Sequence, residues 1–406
     1  MNNINNYNFE NYLKPKDLRI HENNTSSRIP FNKPCLRGNE LEYIQSAVDL
    51  GQLSGDGYYT QKCSELITEL TGSKYCLLTH SCTAALEMAA ILCNLGPGDE
   101  VIMPSFTFVS TANAVVLRGA TPVFVDVKAD TLNLDPNQVK RAISPNTKAV
   151  FVVHYAGYVA DMPELLEICR ENNLLLVEDA AQALGSKLNT SPAGSFGDLA
   201  ALSFHETKNI FSGEGGALVL NNDTLYERAE IIREKGTNRK KFFRGQTDKY
   251  TWVDIGSSFL PGELISSFLY GQLQHHSKVL AERRYIFDIY HSCFKTLADE
   301  GRVGITEKQE NRFGNGHLFY ILTNSNLERE QFISFMKKND IVCPFHYVPL
   351  HSSPAGLKYG KTVGEMNVTN NISSRLVRLP LFPALIENNE IDRVTSKVYE
   401  FYSIDL

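Results

Sequence analysis

The chain has 406 residues, 43% of them hydrophobic and 21% charged. Those proportions are typical of soluble globular proteins and exclude collagen-like, disordered and disulfide-scaffold chains. The formal net charge of -6 argues against a polyanion binder, so no nucleic-acid partner is expected. No apolar run approaches the ~18 residues of a membrane span, so no membrane association is expected.

The first 28 residues hold eight asparagines and mixed charges. No charged segment leads into an apolar core, so the stretch reads as a mobile polar tail rather than a secretory signal. The eight cysteines form no CxxC pair and no zinc-type spacing with histidine. They predict free thiols in a reducing cytoplasm and no metal site.

From Ile29 on, the pattern is that of a packed domain. Residues 39–50 have helical spacing, and 51–57 (GQLSGDG) form a Gly-rich loop. Strands are predicted at 74–79, 101–105, 121–127, 149–155 and 174–179. Helices are predicted at 82–94, on to Arg118 after the second strand, at 135–143 and at 161–172. Asp135-Pro136 is a helix start signal. The strands are continuous apolar runs, the mark of a parallel sheet covered on both faces. Their alternation with helices predicts right-handed βαβ units. Short strands at 200–203 and 217–220 follow, then helical segments at about 223–235 and 262–290. The expected organisation is a tail (1–28), a large α/β domain (29–275) and a smaller α/β domain (276–406).

Ligands of open α/β sheets bind beyond the carboxyl ends of the strands. At the first such end, His80-Ser81-Cys82-Thr83-Ala84 leads into a helix whose free N–H groups can hold a phosphate. An ordinary Ser/Thr cap fits the same residues, and Walker and GxGxxG patterns are absent. Asp179 ends the strand LLLVED; it is either a helix cap or the partner of a ring nitrogen in an electron-sink cofactor. Lys208 follows the strand ALSF and precedes Gly213-Glu214-Gly215-Gly216, whose glycines allow backbone to approach a ligand. A lysine in a pocket there can form a Schiff base with an aldehyde. Cys82, at a helix start, reads as a packing residue.

The combination SCTAAL, PSFTFVSTANA, VEDAAQ, SFHETKN and GEGG, in this order and spacing, resembles the DegT family of sugar aminotransferases. The resemblance covers nearly everything from Ile29 on. It implies fold type I, with a mostly parallel central sheet and a smaller C-terminal domain, and pyridoxal 5'-phosphate (PLP) as cofactor. It implies Lys208 as the Schiff-base lysine, Asp179 facing the pyridine nitrogen, Gln182 near the ring hydroxyl and Phe108 stacked on the ring. Thr83 and Ala84, through N–H groups, and Ser203, through its hydroxyl, are implied to hold the phosphate. His154 and Phe345-His346-Tyr347 are implied to border the sugar.

Longer stretches (VIMPSFTFVSTANAVVLRGA, EIIREKGTNRKKFFRGQTDKYTWVDIGSS, FHYVPLHSSPAG) are similar to members that move the amino group of L-glutamate to C4 of a dTDP-linked 4-keto-6-deoxy sugar. Members acting on C3, or on a GDP- or UDP-linked sugar, form the alternative. A dehydratase branch has histidine in place of the lysine, and a regulator would need a DNA-binding module. Residues 233–244 hold six basic residues and one acidic. Alone they read as a solvated face; with the resemblance, Arg239, Lys240, Lys241 and Arg244 are implied to meet the diphosphate, with Tyr250 beside them. A homodimer with shared active sites is implied. Many members carry GYNYRMSEL, whose Asn reaches the partner's cofactor phosphate; here Ser258 stands in its place.

Overall fold

The computed structural model describes residues 28–386 and 390–403. Of the tail expected at 1–28, all but Arg28 lies outside the described residues. Helices α1 (Glu40–Asp49) and α2 (Tyr58–Thr71) precede the strand β1 (Tyr75–Thr79). Then α3 (Cys82–Leu92), β2 (Glu100–Pro104), α4 (Val109–Val116), β3 (Thr121–Val125), α5 (Pro136–Ala142), β4 (Thr147–Val153), α6 (Met162–Glu171) and β5 (Leu175–Asp179) alternate as the pattern predicts. Asp135 caps α5, its side chain accepting the N–H of Asn137, and Pro136 opens the helix.

β6 (Leu199–Ser203) and β7 (Gly216–Leu220) complete the working half of the sheet. β2 lies between β3 and β4, β4 pairs with β5 and β5 with β6, all in parallel. β7 departs from the parallel expectation: it runs antiparallel to both β1 and β6. Residues 204–215 hold no helix, and a parallel crossover needs one. The chain therefore turns straight back, and the returning loop carries Lys208.

Helices α7 (Asp223–Arg233) and α8 (Arg239–Phe243) follow. The helix expected over 262–290 is two, α9 (Glu263–Gln274) and α10 (His276–Asp299), broken at His275. Further on, β8 (Gly304–Ile305), β9 (Phe319–Leu322) and β11 (Leu376–Leu379) form a small antiparallel sheet in the order β8-β9-β11. Helices α11 (Asn326–Lys338), α13 (Asn367–Arg375) and α14 (Glu390–Ser403) share its core, and α12 (Pro354–Tyr359) ends beside Phe124 of β3. Between them, β10 (Lys361–Thr362) returns to pair with β3 at the edge of the large sheet.

Period-2 alternation sorts β4 onto two cores. Val150 and Val152 join one cluster, Ala149 and Phe151 the other, so both sheet faces are covered. A third cluster around Phe294, Phe319, Phe332 and Val377 holds the C-terminal part. Each such fully buried side chain contributes about 1.5–3 kcal/mol.

The registers bring five chain positions to one sheet edge. Val153 lies opposite Asp179, and Gly216 lies opposite both Thr79 and Ser203. The carboxyl ends of β1, β5 and β6 therefore meet where the lysine loop begins.

Candidate active site

Over that edge lies a cavity of about 610 Å³. The start of α3, the residues before α4 and the lysine loop form one side. Pro344 to Tyr347, Arg378 on β11 and Phe31-Asn32 form the other.

Asp179 ends β5 on the cavity wall and is buried. Its Oδ2 accepts the hydroxyl of Thr111 at 2.7 Å and its Oδ1 the N–H of Ala181 at 3.2 Å. Burial pushes its carboxyl up, and these two hydrogen bonds and the nearby Lys208 charge oppose that rise. Lys208 lines the same cavity, and burial pulls its amine below the ordinary lysine range. Cys82, read from the sequence as a packing residue, is half-buried and lines the same cavity, and burial pushes its thiol well up.

Gln182 is held at both ends. Its Oε1 accepts the N–H of Ala156 at 2.8 Å, and its Nε2 donates to the Tyr347 hydroxyl at 2.7 Å. The Tyr347 ring stacks on His346 with centroids 3.7 Å apart. His346 is held through Nδ1 by the buried Tyr155 hydroxyl at 2.8 Å. Phe108 stands before α4 with 56% of its surface exposed at the cavity, an apolar ring free to face another.

Thr83 and Ser203 line the cavity. The Thr83 hydroxyl lies 2.8 Å from that of Ser110, a second hydroxyl on the wall. The Ala84 N–H donates to Ser81 Oγ at 3.1 Å, so the cap engages it, and Ala84 does not line the cavity. Glu214 and Gly215 of the GEGG loop line the cavity, while Gly216 serves the chain's own packing. A Cβ at Gly216 would lie 2.3 Å from the carbonyl carbon of Ser81. The glycine lets β7 approach the chain's own α3 start rather than a ligand.

His154 is not on the cavity wall. It is fully buried, with Nε2 2.8 Å from Glu178 Oε2 and Nδ1 accepting the Ala160 N–H at 3.2 Å. Glu178 also takes the N–H groups of Gly194, Phe196 and Gly197, so the pair ties the chain together behind Asp179. The basic segment does not reach the cavity either. Arg239 lies 3.7 Å from Glu234, Lys240 2.8 Å from Asp56, Lys241 2.5 Å from Glu227 and Arg244 2.5 Å from Glu230. Tyr250 and Ser258 are exposed and off the cavity wall.

The structure adds residues that the sequence reading passed over. Thr111 holds Asp179 from the first turn of α4. His317 lines the cavity, its Nδ1 3.1 Å from the side-chain oxygen of Asn209, the neighbour of Lys208. Phe31 and Arg378 face each other across the wall. The available signal for Thr111 was its spacing within SFTFVSTANA; the others carried none.

The sequence pattern of the DegT/DnrJ/EryC1/StrS aminotransferase family matches residues 34–399. GDP-perosamine synthase of Escherichia coli O157:H7 is 30% identical over 376 residues, 92% of this chain and 99% of that protein. The aminotransferase TlmJ from Streptoalloteichus hindustanus superposes with a TM-score of 0.85 at 27% identity, over 93% of this chain and 99% of TlmJ. Spr1654 from Streptococcus pneumoniae, in its PLP form, gives a TM-score of 0.84 at 26% identity, over 92% of this chain and 98% of that one. The mostly parallel sheet with its C-terminal α/β part is thus the fold type I architecture of these enzymes. The chain belongs to the DegT/DnrJ/EryC1/StrS aminotransferase family: it is a sugar aminotransferase.

Proposed function

We propose that this enzyme moves the amino group of L-glutamate to C4 of a nucleotide-linked 4-keto-6-deoxy sugar. Its cofactor is PLP, and the residues present suit that group. Lys208 offers an amine, Asp179 a buried carboxylate, Phe108 an exposed ring, and Thr83, Ser110 and Ser203 hydroxyls, all on one cavity. Bound PLP supplies an aldehyde and an electron-withdrawing ring.

The protein's own residues would share the work. Lys208 Nζ would hold the cofactor's aldehyde and would serve as the base for the donor's Cα proton. Asp179, fixed by Thr111, would keep a proton on the ring nitrogen. Gln182, tied between Ala156 and Tyr347, would meet the ring's hydroxyl. Phe108 would cover one ring face and exclude water there. The keto sugar then takes up the nitrogen in the reverse order, which predicts ping-pong kinetics.

The carrying observation is that Lys208 and Asp179 line one cavity. The sugar is proposed to be dTDP-linked, on the resemblance of the longer stretches. A GDP-linked sugar is the second reading, favoured by the GDP-perosamine synthase relatives. The enzyme is proposed to act as a homodimer in which residues 239–250 of one protomer serve the other's cavity.

The test is turnover of L-glutamate with dTDP- and GDP-linked 4-keto sugars, read by mass. Lys208→Ala should lower turnover by at least ~10³-fold, about 4 kcal/mol of barrier, and abolish the borohydride-reducible yellow colour. Full turnover in that variant would refute the reading.

A further inference from the structure

We propose that Tyr155, buried behind the cavity wall, is a positioning residue for the sugar half-reaction: its hydroxyl donates to Nδ1 of His346, and that ring then presents its Nε2–H to an uncharged oxygen of the nucleotide-linked keto sugar. The proposal rests on the aminotransferase reading above and deepens it.

Tyr155 follows β4, is only 1% exposed and does not line the cavity. Its backbone N–H donates to Oδ1 of the buried Asn133 at 2.8 Å, and its ring packs on Phe106 with centroids 5.1 Å apart. Among the described residues its hydroxyl has one hydrogen-bond partner, His346 Nδ1, at 2.8 Å. His346 is buried too, yet lines the cavity. Its Nε2 bonds none of the described residues.

These contacts decide where the ring proton sits. Burial and the charges of Arg378 and Lys208 disfavour the imidazolium, so the ring is neutral and carries one N–H. Burial likewise keeps the Tyr155 proton on its oxygen. With the ring proton on Nδ1, the Tyr155 O–H would be a buried donor without an acceptor, which is unfavourable. With it on Nε2, the hydroxyl donates to Nδ1 and the Nε2–H is left for the cavity.

A closed loop holds the ring in that pose. The N–H of Ala156, next to Tyr155, donates to Gln182, Gln182 donates to the Tyr347 hydroxyl, and the Tyr347 ring stacks on His346. The second histidine on the wall has the opposite polarity. Asn209 Nδ2 donates to the Asn315 carbonyl at 3.0 Å, so its Oδ1 accepts from His317 Nδ1. His317 is neutral by burial and by the Lys208 charge, which leaves its Nε2 without a proton. A neutral N–H suits a keto or hydroxyl oxygen, whereas a carboxylate gains more from a charged donor. Phe345 and Tyr347, on either side of His346, add ring faces to the same wall, and such faces pack against the C–H face of a pyranose. Apolar lining with a few placed polar groups is how a cavity orients its ligand.

The test starts with nitrogen NMR of the holoenzyme carrying isotope-labelled histidine, in which His346 is identified by the signals lost in His346→Gln. Wild type should show the proton on Nε2 and a hydrogen bond at Nδ1, and Tyr155→Phe should lose that bond and move the Nδ1 signal. Stopped-flow absorbance then separates the half-reactions. Tyr155→Phe should raise the concentration of dTDP- or GDP-linked 4-keto sugar for half-maximal conversion by about 3- to 10-fold, with the glutamate half-reaction intact. His346→Leu should raise it by about 10- to 100-fold. His346→Gln, whose amide can place a donor where Nε2 stood, should raise it less. The wild-type spectrum and the two His346 variants carry the test if Tyr155→Phe does not fold. A proton on Nδ1 in wild type would overturn the proposal, as would unchanged sugar conversion in all three variants. So would equal damage to both half-reactions, the mark of a structural role, or a rise confined to glutamate, the mark of a donor site. If no amino acid converts the wild-type cofactor, the aminotransferase reading falls, and the nitrogen spectrum with calorimetric binding of the same sugars still decides this pair.

Discussion

A lysine amine attacks an aldehyde only when uncharged, so the environment of Lys208 sets when it can load. Burial disfavours its ammonium form, and the positive charge of Arg378 adds to that. The folded pKa therefore lies below the ordinary 10.5. The sign follows directly: the uncharged fraction rises with pH through the pKa, so a lowered pKa moves the rise to lower pH. The rate of PLP uptake by the apo-protein should climb with a midpoint clearly below pH 10.5; a midpoint at or above that value would contradict the burial argument. At this scale the motifs were informative, with Ala84 of SCTAAL an exception because the Ser81 cap engages its N–H. Lys208, Asp179, Gln182, Phe108, Thr83, Ser203, His346 and Tyr347 all stand on one cavity. The sequence misled at His154, because a histidine at a strand end looks alike whether it faces a crevice or a buried glutamate. It was silent on Arg378 and Phe31, which meet only through folding of segments over 300 residues apart.

Elements depend on partners distant in sequence for their ends as well as for their faces. Helix α2 starts at Gly57, which has no capping side chain. Glu263 supplies the cap from the start of α9, accepting the N–H groups of Gly57, Tyr59 and Thr60 and the Thr60 hydroxyl. No local signal could announce a cap borrowed across the chain, so this helix was not legible. The strands were, since apolar runs flanked by helices report burial directly. The direction of β7 was not, because it turns on the missing crossover helix. Gly216 makes this element testable. An added Cβ would lie 2.3 Å from Ser81 C and 2.4 Å from Cys82 N, both backbone atoms with little freedom to move. Gly216→Ala should push β7 away from the start of α3 and destabilise the fold by about 1–3 kcal/mol. Urea unfolding measures the loss, and faster release of PLP from the variant would show that the displaced element is the one beside the cofactor. A variant as stable and as tightly loaded as wild type would mean that the α3 start can shift freely.

At the scale of the whole molecule, the position of the 239–250 segment needs explaining. Four of its five cations, Arg239, Lys240, Lys241 and Arg244, are matched with acids of the same chain, and none of the five lines that chain's cavity. Exposed rings accompany them: Phe243 is 68% exposed, Tyr250 56% and Trp252 77%. If the segment serves a second protomer, as the homodimer proposal holds, two defects on different chains should cancel. One variant is Lys208→Ala. The other neutralises Arg239, Lys240 and Lys241 to Gln and leaves Arg244, because removing Arg244 would strand the buried Glu230. Alone, the first should lack turnover, and the second should show a raised KM for the nucleotide sugar with the glutamate half-reaction intact. In a reassorted mixture of two-fold dimers, half of the molecules pair one variant with the other. Each mixed dimer then owns one site with an intact lysine and an intact segment from the facing chain. Activity at low sugar concentration should recover to about a quarter of wild type. If each cavity used its own segment, every site in the mixed dimer would carry one defect, and mixing would restore nothing.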